Sequence, residues 1–279
     1  MPRAYSTQAL IYRTDLIPEP PTTWEELIEV AKNIQKENPD MYGFAFGGAD
    51  HVSTLSQYFT VLFSFGGQVT DADGRLVLNS PEAVEALQLL VDMYREHNIV
   101  PNPLEYHREE LSELFSAERI AMFISGPWGG NALGLPPEND RIPYNSALVP
   151  AGPAGPGTEV VSDSTIVAAT TRNKEAALTF LDFITTPEEQ IIRDYTAGAV
   201  PQGPEMAQSP EFQGDSYFMT FIDMAQYGSP QPQPALWEPF QDVIVDMVQS
   251  ALLGIQTPEQ AIESASARLI NEGLVLPPK

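Results

Sequence analysis

The sequence predicts an α/β fold in which helices outnumber short strands. Three observations carry this. One helix-start signal recurs at Ser80-Pro81-Glu82, Thr186-Pro187-Glu188 and Thr257-Pro258-Glu259. Each joins a hydroxyl cap, a proline at the first helical position and an acid that meets the helix dipole. Apolar residues recur at helical spacing after Thr23-Trp24-Glu25-Glu26 (Leu27, Ile28, Ala31, Ile34) but form bare runs of strand length elsewhere, as in Ala121-Met122-Phe123-Ile124. A length of 279 residues allows a sizeable core, most naturally shared between two domains.

Taken in order, Gln8–Tyr12 reads as a short strand and Ile17-Pro18-Glu19-Pro20-Pro21 as a stiff connector. Thr23-Trp24-Glu25-Glu26 forms a capping box before a helix to about Glu37, which Asn38-Pro39-Asp40 ends. Tyr42–Phe46 is a predicted strand broken by Gly47-Gly48. A helix over about Ser53–Phe65 stops at Gly66-Gly67, and the turn Asp71-Ala72-Asp73-Gly74 leads into a strand at Arg75–Leu78. Helices follow from Ser80 to about Asn98 and over Leu111–Ala117. The strand at Ala121–Ile124 is stopped by Gly126 and Pro127, and Trp128 comes next. Pro150–Gly157 is a proline- and glycine-rich loop, too short for a disordered linker, that joins ordered units. Ser164–Ala169 reads as a strand, and Lys174–Ile184 and Pro187–Tyr195 as helices. After Gln231-Pro232-Gln233-Pro234, helices cover about Phe240–Leu253 and Pro258–Asn271.

Composition narrows the function. The net charge of −24, from 38 acidic against 14 basic residues, repels nucleic acid and anionic membranes and disfavours strongly anionic ligands. The absence of cysteine excludes disulfides, thiol catalysis and cysteine metal sites, and fits an oxidising extracytoplasmic compartment. No apolar run is long enough to span a membrane, and no signal peptide is visible after Met1. There is no Gly-x-Ser-x-Gly, P-loop, Gly-x-Gly-x-x-Gly or His-Glu-x-x-His pattern, so no catalytic residues and no cofactor are assigned. His51, His97 and His107 show no metal-ligand spacing, and His51 has no ligand-spaced neighbour in sequence; no metal site is expected. Trp128 alone has two readings. It closes a sheet as a core residue, or it offers an aromatic face to an apolar ligand face such as that of a sugar ring.

The order of motifs resembles the extracytoplasmic solute-binding proteins of ABC importers, in the sugar-binding group that includes maltose-binding protein. The resemblance is carried by Ala9-Leu10-Ile11-Tyr12-Arg13-Thr14-Asp15-Leu16 before Pro20-Pro21-Thr22-Thr23-Trp24-Glu25-Glu26, by Phe65-Gly66-Gly67, and by Phe115-Ser116-Ala117-Glu118-Arg119-Ile120-Ala121-Met122 with Gly126-Pro127-Trp128. Asn173-Lys174-Glu175-Ala176-Ala177, Thr186-Pro187-Glu188-Glu189-Gln190, Gly198-Ala199-Val200-Pro201 and Thr257-Pro258-Glu259-Gln260-Ala261 continue it to the end of the chain.

The resemblance implies a periplasmic-binding-protein-like fold of two lobes (type II) whose first lobe is incomplete here. Family members begin with βαβ units, about a hundred residues at roughly 30 per unit, ahead of the passage matched at Ala9. Residues 8–160 plus 213–279 would form the second lobe and 164–212 a returning segment of the first. It further implies a monomer outside the cytoplasm that captures a small carbohydrate in an interlobe cleft and presents it to ABC permease subunits. This chain alone is expected to hold sugar weakly or not at all. Carried over by position, Trp128 and Trp237 are ligand-stacking aromatics. Tyr5 and Ser6 lie at a first crossing between lobes, and Ser162 and Asp163 at a second. His51 follows a strand end, where ligands bind in open sheets, and Glu238 is placed to accept sugar hydroxyls. A glycoside hydrolase, which needs two facing carboxylates, and a same-fold protein for a non-sugar solute such as a glycerol-phosphate ester are the alternatives.

Overall fold

A computed structural model describes residues 2–133 and 140–279. In chain order the elements are β1 (Pro2–Ser6), β2 (Ala9–Arg13), α1 (Trp24–Glu37), α2 (Val52–Ser64), α3 (Pro81–Arg95), α4 (Arg108–Ser116), β3 (Met122–Ser125), α5 (Trp128–Leu133), β4 (Tyr144–Ala147) and β5 (Thr158–Ser164). There follow α6 (Lys174–Ile184), α7 (Pro187–Ala197), the single turns α8 (Pro204–Ala207) and α9 (Pro210–Gln213), α10 (Ser216–Met224), β6 (Gly228–Pro230), α11 (Trp237–Leu252) and α12 (Pro258–Asn271). The predicted α/β class is what the chain forms.

The helix starts obey the local chemistry, with variations. Thr23 Oγ1 accepts the Glu26 N–H, but the Glu26 carboxylate reaches one residue further back, to Thr22 N–H at 2.8 Å. Ser80 caps α3 with Pro81 at its first position. Thr257 and Gln260 close a reciprocal capping box on α12, whereas Thr186 makes no side-chain cap on α7. Two ends differ from expectation. The third helix stops at Arg95 because Asn98 turns into the left-handed region at φ 50°. The fourth starts at Arg108 rather than Leu111, since His107 N–H donates to Glu110 Oε2 at 2.8 Å and sets the cap there.

Two three-stranded sheets organise the chain. In one, β2 lies between β3 and β4, antiparallel to both; Leu10 faces Ile124 on one side and Ala147 on the other. Every residue of β2 and β3 is buried, so this sheet is sandwiched within the core, with α1, α2, α4 and α10 supplying Trp24, Phe59, Phe115 and Phe221. Phe115 packs at 5.3 Å on Phe123, and Tyr144 meets Tyr217 edge-on at 5.6 Å. In the other sheet β5 pairs antiparallel with β1, register Tyr5 to Ser162, and parallel with β6.

Three strand expectations are corrected. Tyr42–Phe46 contributes only single bridges, Tyr42 to Ile120 and Ala45 to Phe123, and Arg75–Leu78 likewise only Arg75 to Leu276 and Leu76 to Thr70. The strand placed at Ser164–Ala169 lies at Thr158–Ser164 instead. Residues 165–169 lie outside the described strands, and Ile166 is 82% exposed despite its apolar neighbours.

A buried polar knot joins the sheets. Gln8 N–H donates to Thr158 Oγ1 at 2.7 Å, and Gln8 Nε2 donates to the Ser56 carbonyl at 3.2 Å. Gln57 Nε2 bridges Gln8 Oε1 and the Ile124 carbonyl at 2.9 and 3.1 Å. The β1–β2 junction, β5, α2 and β3 are thereby fixed together by satisfied buried groups. The 150–157 loop is ordered as expected: Ala151 exchanges backbone bonds with Thr22 and Trp24, and Ala154 N–H donates to Ser64. In contrast, α6 buries none of its residues, and Phe180 and Phe183 stand exposed.

Candidate functional site

Where β1, β5, α2, α4 and the start of α5 converge, they enclose a cavity of about 440 Å³, within the range that suits small-molecule ligands. The knot around Gln8 forms its floor. Tyr5 and Ser6 from β1 and Val161 and Asp163 from β5 line one wall, Val52 and Ser56 from α2 another, and Trp128 and Trp237 supply aromatic faces.

Trp128 opens α5 immediately after the Gly126-Pro127 break. A Cβ on Gly126 would lie 2.2 Å from the indole ring carbons, so glycine there is the condition for the ring's position. On the other side of the residue, Gly198 (φ +71°) lets the chain after α7 approach within a distance that any Cβ would violate, 2.6 Å from the Trp128 backbone. The Arg108 guanidinium stands 5.0 Å over the Trp128 ring and is held by Glu109 at 2.9 Å. Tyr217, fully packed beneath this turn, accepts the Gly130 N–H at 2.7 Å and donates to the Pro127 carbonyl at 3.0 Å. Burial pushes its phenol well above the ordinary range. Trp237 packs at 5.7 Å against Phe240, leaving it half-buried at the cavity edge.

The carboxyl of Glu159 is the unusual group. It lines the cavity while only 2% of the residue is exposed, and its Oε1 has no hydrogen-bond partner among the described residues. Burial raises its pKa; hydrogen bonds from Ser56 and Gln231 and the charge of Arg108 pull the other way without prevailing. An acceptor or, when protonated, a donor is thus held ready at the cavity wall. Asp163 differs: it is exposed and ion-paired with Arg3.

Of the residues singled out from sequence, Trp128, Trp237, Tyr5, Ser6 and Asp163 come together around this cavity. Three do not line it. Ser162 is exposed and pairs with Tyr5 across the ladder, while its strand neighbours Val161 and Asp163 do the lining. Glu238 is exposed in the first turn of α11, where it meets the helix dipole. His51 is the N-cap of α2, its Nδ1 accepting the Ser53 N–H at 3.2 Å. His51 has no ligand-spaced neighbour in sequence, but the fold brings His107 to 4.9 Å ring to ring, with Glu109 beside it. Glu159, Arg108, Ser56 and Gln231 were not singled out. Only Glu159 carried a signal: an acid set directly before Val160-Val161.

Comparison with known proteins bears on the family and the fold. The profile of the bacterial extracellular solute-binding protein family matches residues 1–191. A binding protein of Brucella abortus (strain 2308) is 29% identical over 280 residues, covering 96% of this chain and 66% of its own length. The maltotriose-binding protein of Pyrococcus abyssi is 27% identical over 265 residues, 89% of this chain and 54% of its own. Among solved structures, maltose-bound T. maritima MalE3 superposes with a TM-score of 0.84 at 27% identity, over 98% of this chain and 72% of that one. The chain therefore spans between about half and three quarters of these relatives. Its fold is that of the type II periplasmic binding proteins, similar to the maltose-binding group, and the chain belongs to the bacterial extracellular solute-binding protein family.

Proposed function

We propose that this chain is the sugar-binding part of an ABC importer's solute-binding protein, a non-enzymatic carrier outside the cytoplasm, monomeric, that hands its ligand to permease subunits. The carrying observation is the cavity itself: an indole face on Trp128 beside Arg108, with Glu159 and Ser56 placed to bond hydroxyls. Apolar CH faces of a pyranose suit the ring, and its hydroxyls suit a donor–acceptor set of this kind. Maltose and maltotriose, bound by the relatives named above, are the first ligands to try.

The lobe assignment belongs to the same proposal: residues 8–160 plus 213–279 as one lobe and 164–212 as a returning segment of the other. The failure of α6 to bury any residue against the rest supports a separate packing unit for that segment. Hinge closure about β1 and β5, which cross between the units side by side, would then enclose the ligand.

Saturation-transfer NMR with maltose and maltotriose tests the site even at millimolar affinity. Ring protons of the sugar should be saturated by the wild-type chain and much less by Trp128→Ala. Equal transfer in both would remove Trp128 from the site, and transfer to a glycerol-phosphate ester but to no oligosaccharide would replace the sugar reading.

A further inference from the structure

The rim of the cavity carries a second constellation. His51 caps α2 and His107 caps α4, and a ring nitrogen of each and a carboxylate oxygen of Glu109 lie within 4.8 Å of one another. His51 uses Nδ1 to accept the Ser53 N–H, which leaves Nε2 for another bond. His107 is oriented by a carboxylate, its Nδ1 3.1 Å from Glu109 Oε2. That nitrogen and that oxygen already point at one another, as two ligands of a single ion would. Both rings are half-buried and Glu109 is exposed, so the three donors are held loosely yet reachable.

We propose that His51, His107 and Glu109 form a binding site for a divalent transition-metal ion, best suited to Zn²⁺. Two imidazoles and one carboxylate are a donor set that zinc takes with a fourth position open to water. Zinc bonds of about 2.0–2.2 Å would put neighbouring donors roughly 3.3–3.5 Å apart. Side-chain rotation of an ångström or so therefore closes the site from its 4.8 Å spread without moving either helix. The two rings lie 4.9 Å apart, centre to centre, and are tilted by 38°, so both reach the same small space between the two helix starts. Glu109 and Glu110 supply negative charge against Arg108 and the two helix N-termini.

The site is distinct from the cavity but adjoins it: Val52 and Arg108, each next in sequence to one of the histidines, are lining residues. Glu109 also holds the Arg108 that stands over Trp128, so a bound ion would share the carboxylate on which Arg108 rests. The proposal does not depend on the identity of the solute.

The test is titration calorimetry of the tag-free 279-residue chain with ZnCl2, in phosphate-free buffer and without sugar. One equivalent of zinc should bind, with affinity at least about tenfold weaker in His51→Asn and in His107→Asn. Asparagine keeps a side-chain acceptor at each helix cap, so both variants retain the local fold. His97→Asn, altering the third histidine, should bind like the wild type. Unchanged affinity in both cap variants, or no saturable uptake up to about 1 mM, a concentration at which only feeble complexes remain undetected, would overturn the site. A second measurement needs no variant: Co²⁺ added to the wild-type chain should broaden two histidine ring signals and spare that of His97. Broadening of all three alike, or of none, would equally overturn it.

Discussion

Replacing Gly126 by alanine should act through Trp128 and almost nothing else. The added Cβ would meet the indole ring at 2.2 Å, about 1.2 Å short of the 3.4 Å at which ordinary contact begins. The indole has to turn or the Gly126–Pro127 backbone has to give. Overpacking of this kind destabilises by about 1–3 kcal/mol. For a chain of this size that corresponds to a fall in melting temperature of about 2–12 °C, at roughly 2–4 °C per kcal/mol. The clash has one partner, so removing that partner should relieve it. A double-mutant cycle between Gly126→Ala and Trp128→Ala, read by urea unfolding, should give a favourable coupling of about 0.5–3 kcal/mol. The double variant would then be barely less stable than Trp128→Ala alone. Costs that simply add would show that Gly126 does not set the position of the indole, and the account of how the cavity's aromatic face is held would be wrong.

Tyr217→Phe should leave the Gly130 N–H and the Pro127 carbonyl without their buried partner and destabilise the chain by about 1–3 kcal/mol in chemical denaturation; a change within a few tenths of a kcal/mol would mean that water replaces the hydroxyl. The pH dependence of stability offers another check. Glu159 has a raised pKa in the folded chain, so the folded state holds its proton more tightly than the unfolded one. Its contribution to stability is present in full below the unfolded-state value. It is lost as pH rises through the raised one. Comparing melting temperatures across that interval, Glu159→Gln should be flatter than the wild type and gain relative stability toward neutral pH. A parallel pair of curves would show that the carboxyl ionises at its ordinary value.

How far the sequence could be read divides along the range of the interactions. Helix starts were legible because a capping hydroxyl and the backbone N–H that donates to it are three residues apart, as at Ser80 and at Thr257. Strand β5 was misplaced because Thr158–Ser164 neither alternates nor forms an apolar run. Its burial fades along its length from the Gln8 knot to exposed Ser164, a pattern imposed by where the second sheet lies. Ile166 and its apolar neighbours misled for the same reason. At the site, Trp128 was legible through the glycine and proline before it. Glu159 and Arg108 reach the site through residues distant in sequence, Ser56 and Gln231 for one and Trp128 for the other. The meeting of His51 with His107 likewise depends on two helix starts being brought side by side, which no periodicity encodes.

The knot of Gln8, Gln57 and Thr158 has a consequence for the speed of capture. Gln8 bonds through its backbone N–H and both side-chain polar atoms, and Gln57 bonds through its amide nitrogen; all three residues are buried. An incoming molecule therefore meets a floor that has nothing to rearrange, and no ordering entropy is charged to that side of the encounter. Adjustment is left to the Trp128 indole, which lies between the Gly126 backbone and the half-buried Arg108 guanidinium. Arrival should thus be governed by diffusion and by the turning of one ring, and differences between solutes should be expressed in how long each one stays.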